Sequence, residues 1–325
     1  MKNIIVYLFI TVFTTISCNT KADRAQAFVP GSSGNINHIT VVMPTLDWEG
    51  KLGKSVRDNL STLYEGLPLD EPQFSLDYLN PKAFSGFGRQ SRNIIWFQKD
   101  SIPRFQLAKD QFSRPQIVGL VTGEDSETQQ FYFEENLALF SQIIKENERK
   151  EKLRRINKSL TKDKNFKNRF GLDLVYPSAY QTVKDTANFV WIQKQLQKGH
   201  LNIIAYEVFD SIFDNNFNVK ILKIRDSIGK LYIPGRLKGS YMITERAFQP
   251  YFYKVVLDGK KGYLTKGTWE VANDFMAGPF INFMIRDSLT EKWIVIEGFA
   301  FAPSMNKRDY MFELNTIITT VKKVN

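Results

Sequence analysis

Three acidic residues in the C-terminal part of the chain lie beside large aromatic side chains. The acids are Glu270, Asp274 and Glu297, and their aromatic neighbours are Trp269, Phe275 and Trp293. Two carboxyl groups held about 5–5.5 Å or about 6.5–9.5 Å apart can hydrolyse a glycosidic bond. Polysaccharide hydrolysis is therefore one hypothesis. The alternative, which we favour, is that these acids face solvent on strands and turns whose aromatic residues pack inward.

Other catalytic and metal-binding arrangements have little support in the sequence. The chain has one cysteine and two histidines, which excludes an internal disulfide and a Cys/His zinc cluster. His38 lies within a strand-like segment and His200 follows Gly199 in a predicted turn, so both are expected to be structural or exposed. No G-x-S-x-G, P-loop, H-E-x-x-H or EF-hand motif is present. We therefore expect no cofactor, no metal and no catalytic residues.

The positive charge of the chain is concentrated in one segment. The net charge is +10, and residues 145–169 contain eleven basic and four acidic side chains. Lys152, Arg154 and Arg155 at its centre are candidate contacts for lipid headgroups or an acidic envelope polymer. The favoured alternative is a solvated helix end, because Glu151 and Arg155 form one of several favourable i,i+4 pairs.

The first residues are typical of a bacterial lipoprotein signal. Lys2 precedes an apolar run from Ile4 to Ile16, which at thirteen residues is too short to span a bilayer. Ser17-Cys18 follows directly, and Cys18 is the predicted site of lipid attachment. Cleavage after Ala27, at Ala25-Gln26-Ala27, is the alternative expected for an ordinary secretory signal.

This pattern sets the expected organisation and location of the chain. Residues 1–17 are the predicted signal peptide, and residues 18–35 are a flexible tether. The protein is then anchored in the cell envelope through its lipid, facing the periplasm from the outer membrane. An exported protein of this kind is a poor candidate for nucleic-acid binding.

The remaining sequence predicts an α+β fold with mostly antiparallel sheet, helices on one face, and two halves joined by a long helix. The halves are residues 36–165 and 166–325. Their predicted helices start near Trp48, Ser126, Ser178, Asn216 and Met305. One face of the second carries Phe133, Leu137, Phe140 and Ile144, and one face of the fourth carries Phe217, Ile221, Ile224 and Ile228. Alternating or continuous apolar runs predict strands between them, and Asp258-Gly259 is typical of a hairpin turn. Segment 267–303 is expected to be the structural centre of the second half.

Several long sequence segments resemble those of a known family. They are RDSIGKLYIPG at 225–235, SYMITE at 240–245, GTWEVANDFMAGPFINFMIRDS at 267–288, WIVIEGFAFAPSMNKRDYMFELNTII at 293–318 and NIIWF at 93–97. With the lipoprotein start, they are similar to the exported lipoproteins of Bacteroides-like bacteria catalogued as domain of unknown function 4837. The resemblance extends over essentially the whole mature chain. It implies an envelope lipoprotein and no particular chemistry.

We therefore expect a lipid-anchored envelope protein that binds or scaffolds without catalysis. Its expected partners are the membrane, through the lipid, and an envelope protein or anionic polymer. An envelope polysaccharide hydrolase with paired carboxylates is the alternative.

Overall fold

The structure is a computed structural model that describes residues 29–209, 216–287 and 290–323. The predicted signal peptide, Cys18 and residues 19–28 of the predicted tether lie outside this part of the chain. The described helices are α1 Thr45–Glu49, α2 Lys51–Leu60, α3 Ser126–Ile156, α4 Asn165–Phe170, α5 Phe217–Tyr232 and α6 Arg308–Ile318. None of these helices is long and apolar enough to cross a membrane.

The first five strands form an N-terminal sheet in the order β2-β1-β3-β5-β4. They are β1 His38–Val42, β2 Ser75–Leu79, β3 Asn93–Lys99, β4 Arg104–Lys109 and β5 Ile117–Gly123. Pairs β1–β2, β1–β3 and β3–β5 are parallel, and β4 runs antiparallel to β5. The central strands are apolar on both faces, as strands of a covered parallel sheet must be. Helices α2 and α3 cover one face, and short helical turns at 81–90 contribute to the other.

The C-terminal sheet has eight strands, and every pair in it is antiparallel. Its strands are β7 Tyr180–Thr186, β8 Phe189–Gln195, β9 His200–Phe209, β10 Met242–Thr244, β11 Tyr251–Leu257, β12 Lys260–Val271, β13 Asp274–Asp287 and β14 Lys292–Phe301. Two short strands, β6 Leu172–Asp173 and β15 Lys322–Lys323, pair separately.

Both faces of the C-terminal sheet are buried. Successive residues of a strand point to opposite faces, so Phe280 and Phe299 lie in the cluster covered by α5, and Ile281 and Ile296 lie in the cluster covered by α6. Gly298 permits the close approach of α6, because a Cβ there would lie 3.0 Å from Leu314 Cβ. The strands β13 and β14 pair antiparallel, with Phe280 opposite Phe299.

Helix α3 is the long helix that the sequence predicts. Asp125 caps it by accepting a hydrogen bond from the backbone N–H of Thr128. The predicted residues Phe133, Phe140 and Ile144 pack in the core of the N-terminal sheet, whereas Ile156 at its end packs in a core of the C-terminal sheet. One continuous helix thus contributes to both hydrophobic cores.

The α+β class with mostly antiparallel sheet is confirmed, with differences in detail. Helices cover both faces of the C-terminal sheet, because its central strands are apolar on both sides. The predicted helix at Ser178 is wrong: residues from Tyr180 onward form β7, where Tyr180 is buried and β8 supplies the ladder hydrogen bonds. Strand β4 has no counterpart among the predicted elements.

Candidate functional site

A cleft of about 950 Å³ lies where the two sheets and their helices meet. We call it the junction cleft. It is formed by the segment 62–74 that follows α2, by residues 138–149 of α3, by Lys266 of β12 and by Phe312 and Asn315 of α6. Its volume is at the upper end of the range of about 300–1,000 Å³ found for ligand sites.

The junction cleft is held in shape by contacts that cross between the sheets. Glu71 accepts hydrogen bonds from the backbone N–H groups of Lys307 and Arg308, at 2.7 and 2.8 Å, at the start of α6. The Arg308 guanidinium donates to the Pro72 carbonyl and to Ser75 Oγ. These contacts fix the segment 62–74 against α6, so the cleft is formed before any ligand binds.

Most of the charged groups in the cleft are paired. Glu65 accepts hydrogen bonds from Tyr253 Oη at 2.8 Å and from Lys266 Nζ at 3.1 Å. Lys266 Nζ also lies 5.9 Å from the Tyr64 ring and 5.6 Å from the Tyr253 ring. Burial raises the pKa of Glu65, but the hydrogen bonds from Tyr253 and Lys266 outweigh it, so the net pKa is lowered.

Lys145 is the charged residue of the cleft lining that has no paired partner in the described ranges. It is exposed in the cleft, and no hydrogen bond or ion pair joins its ammonium group to any other residue in the described ranges. Partial burial of the ammonium group lowers its pKa, the charge of Lys266 lowers it further, and Glu65 opposes both effects. The neighbouring Arg149 and Glu146 neutralise each other through two hydrogen bonds of 2.9 Å. A positive charge therefore remains available at the cleft, as an anionic ligand requires.

The three basic residues singled out from the sequence are engaged within the chain. Lys152 Nζ lies 3.2 Å from Glu313 on α6, and that lysine side chain is only 15% exposed. Arg154 and Arg155 both bind Glu151, each at 2.7 Å. Burial raises the pKa of Glu151, but the two arginines outweigh it and hold the pKa at about 2.

These ion pairs give much of the basic segment a packing role. Arg155 also donates a hydrogen bond to the Gly34 carbonyl at 3.0 Å. Glu313 receives Lys194 as well as Lys152, and although burial raises its pKa, the two ammonium groups lower it on balance. The end of α3 is thereby joined to α6 and to β8.

The acidic candidates do not form an accessible pair. Glu297 is completely buried and binds the Arg225 guanidinium at 2.8 Å. Asn282 Nδ2 donates to the other carboxylate oxygen at 2.8 Å, and the guanidinium lies 3.8 Å from the centre of the Phe280 ring and donates to Thr244. This carboxylate has no path to a substrate in the structure.

The other two acids lie elsewhere. Asp274 binds the exposed guanidinium of Arg236 at a hairpin, at 2.7 Å, and Glu270 lies opposite Ile243 and Ala277 in the sheet. The favoured alternative placed these acids in solvent, which is wrong for the buried Glu297. Its inward aromatic packing agrees with the burial of Trp269, whereas Phe275 is fully exposed.

The two histidines lie in different sheets. His38 Nδ1 is 3.0 Å from Asp77 Oδ2 on β2. His200 Nδ1 is 2.8 Å from Asn202 Nδ2, and burial lowers the pKa of His200 while this hydrogen bond opposes the effect. Neither contact brings a nucleophile and an acid to one imidazole.

Sequence reasoning missed the buried ion pair that attaches α3 to the N-terminal sheet. Glu148 is completely buried and accepts hydrogen bonds from Arg92 Nε at 2.6 Å, Asn93 Nδ2 at 2.7 Å and the Asn37 backbone at 2.6 Å. Its spacing could have revealed it. Glu148 follows Ile144 by four residues on the apolar face of the helix, where a charged residue is unusual. No sequence pattern indicated Glu65 and Tyr64, because the apolar residues of the segment 62–74 have neither helical nor strand periodicity.

Comparison with known proteins identifies two family models. Residues 159–320 match the family described as "Domain of unknown function (DUF4837)", and residues 32–157 match "Domain of unknown function (DUF8532)". The expected match to domain of unknown function 4837 is thus confirmed, but over a shorter range, since NIIWF at 93–97 lies within the second match. No curated protein matches the chain.

Two solved structures are similar to part of the chain. One is the Ran-binding protein Mog1p of Saccharomyces cerevisiae, with 10% identity and a TM-score of 0.34, covering 48% of this chain and 91% of Mog1p. The other is LpqN of Mycobacterium tuberculosis, described as involved in cell envelope biogenesis, with 14% identity and a TM-score of 0.30, covering 47% of this chain and 83% of LpqN. The family relationship rests on the sequence match alone, in which residues 159–320 match the DUF4837 model.

Proposed function

We propose that this chain is a lipid-anchored cell-envelope protein that binds an anionic ligand in the junction cleft without catalysis. The observation that carries the proposal is Lys145, an unpaired cation in a large cleft whose other charges neutralise one another. An unpaired ammonium group beside Lys266 raises the energy of the empty cleft, and a carboxylate or phosphate placed between them would lower it.

The ligand we propose is a segment of an anionic envelope polymer. The cleft has enough volume for several units of such a polymer, and Leu63 and Tyr64 provide apolar surface beside the cations. A catalytic role has less support, because Glu297 is enclosed by Arg225 and Asn282. The proposed position at the outer membrane, facing the periplasm, rests on the sequence around Cys18.

Replacing Lys145 with glutamate should weaken binding of a short oligogalacturonate by at least about tenfold, because a repulsive charge replaces the available cation. Isothermal titration calorimetry at low salt measures the change, with a neutral dextran oligomer as the uncharged probe. Lys158→Glu changes the net charge equally on an exposed residue outside the cleft, and it should alter affinity by less than about threefold. Equal losses in the two variants would show that only net charge attracts the ligand.

The pH dependence of the same binding has a defined sign. Only protonated Lys145 attracts an anion, and its pKa is lowered in the free protein. Affinity should therefore be full at neutral pH and fall as the pH rises towards the pKa of Lys145, earlier than an ordinary lysine would allow. The Lys145→Glu variant should lack this alkaline decrease.

Changing Cys18 to alanine tests the anchor separately. The protein expressed in its own envelope should move from the detergent phase to the aqueous phase on Triton X-114 partition, because several acyl chains hold a protein stably on a membrane. Ser17→Ala retains the thiol and serves as the control. Unchanged partition of the Cys18→Ala variant would contradict lipid attachment at this residue.

A further inference from the structure

The hairpin between β12 and β13 ends in an exposed aromatic ring. Phe275 has 103% of its reference surface exposed. The pairing partner of Glu270 is Ala277 but that of Val271 is Asp274, so the register shifts beside Phe275. Such a bulge redirects side chains away from the sheet. The ring therefore projects from the end of the hairpin, although burial in a core would be its usual state.

A second loop is held beside this hairpin. Residues 233–241 join α5 to β10, and the backbone N–H of Ala272 donates to the Tyr241 carbonyl at 2.9 Å. Arg236 binds Asp274 through two hydrogen bonds, at 2.7 and 3.1 Å. The loop exposes Leu237, which is 56% exposed. Two apolar side chains thus project from adjoining loops at one end of the sheet.

Basic side chains lie in the same segments as these apolar residues. Residues 229–241 carry three basic side chains and no acid, and residues 271–277 carry one acid, Asp274, which Arg236 neutralises. Lys230 Nζ lies 5.4 Å from the centre of the Tyr241 ring. We call this set the tip surface: Lys230, Leu231, Arg236, Leu237, Lys238 and Phe275, all exposed.

We propose that the tip surface docks on an anionic lipid bilayer, with Phe275 and Leu237 entering the headgroup region and the lysines contacting lipid phosphates. Apolar side chains ringed by cations complement the two layers of such a bilayer, which presents negative charge outside and hydrocarbon beneath. A water-exposed phenyl ring gains by leaving water, and the flexible stems of Lys230 and Lys238 let their charges remain at the headgroups. The proposal does not depend on the junction cleft or on lipid attachment at Cys18.

An environment-sensitive label at the hairpin tests this directly. The full chain with Cys18→Ser and Phe275→Cys has one thiol, since Cys18 is the only cysteine, and it can be labelled with a nitrobenzoxadiazole fluorophore. With vesicles of 30% phosphatidylglycerol in phosphatidylcholine, we expect a blue shift and quenching by lipids brominated near the headgroup. Phe87→Cys in the same background labels another exposed phenylalanine, 75% exposed, and should show neither effect. A label at 275 that stays in water, or that responds no more than the label at 87, would overturn the proposal.

The charge requirement is tested on the same labelled chain. Lys230→Glu with Lys238→Glu should weaken vesicle binding at position 275 by at least about tenfold. Lys260→Glu with Lys261→Glu makes the same change in net charge at the other end of β12 and should preserve binding. Equal partition of the label into neutral and anionic vesicles, or a blue shift on raising the protein concentration without vesicles, would contradict an anionic bilayer and indicate apolar adsorption or self-association.

Discussion

Replacing Phe299 with alanine should lower the free energy of unfolding by about 3–5 kcal/mol. The ring is 2% exposed on the face of β14 covered by α5. Its centroid lies 5.8 Å from that of Trp269 and 6.4 Å from that of Trp191, so the substitution removes packing on two sides and leaves a cavity. The loss is a large part of a typical stability of about 5–15 kcal/mol. Thermal unfolding followed by circular dichroism should show a decrease in Tm of roughly 5–15 °C.

Phe275→Ala is the matched control for this prediction. It removes the same ring from the same sheet, but at a position where the ring makes no buried contact. Its effect on the free energy of unfolding should stay within about 0.5 kcal/mol. A decrease in Tm of less than about 2 °C for Phe299→Ala would indicate that the Phe299 ring does not pack as the structure describes.

Glu297→Gln should also lower the free energy of unfolding by about 3–5 kcal/mol, because Arg225 would keep its charge in a buried position without a carboxylate. Both side chains are at most 1% exposed, so water cannot compensate for the loss. Asn282 loses its charged acceptor in the same change. Urea unfolding measured at pH 7 would give the decrease.

The same variant distinguishes a structural carboxylate from a catalytic one. A catalytic acid could be replaced by its amide with little loss of stability, and hydrolysis would then be lost. Asp58→Asn is the comparison, since it removes an acid from the solvent-exposed pair with Lys54 and should leave the unfolding curve almost unchanged. Identical unfolding curves for Glu297→Gln and the native chain would contradict a structural role for the buried pair.

The buried ion pairs all lie where a helix packs against another element of the fold. Glu148 joins α3 to the N-terminal sheet, Glu297 joins β14 to α5, and Glu313 joins α6 to α3. Each lies where a helix meets another element, and each satisfies several donors at once. Such contacts fix the relative position of the elements that they join.

Local patterns in the sequence determined most of the helices and strands. The apolar spacing of Phe133, Phe140 and Ile144 predicted α3, and the stepwise pattern of Ile221, Ile224 and Ile228 predicted α5. Asp258-Gly259 predicted the β11–β12 hairpin, in which both residues have positive φ. These features depend on neighbours within a few residues, so the sequence alone specifies them.

The sequence could not determine which local preference would prevail where two competed. Ser178 and Gln181 have the spacing of a capping box, yet the segment from Tyr180 is a strand because β8 offers a complete antiparallel ladder. Tertiary pairing outweighs a local helix signal of about 1 kcal/mol.

The charges of the basic segment were likewise determined in part by the sequence and in part by the tertiary structure. The sequence determined that residues 145–169 are basic and that four acids lie among them. Only the tertiary structure decided that Lys152 forms an ion pair with Glu313, which lies far along the chain, while Lys145 has no partner in the described residues. Ion pairing between distant residues depends on how whole helices pack, and that packing is a property of the complete fold. The location of the candidate site therefore followed from tertiary contacts, whereas its positive charge was already present in the sequence.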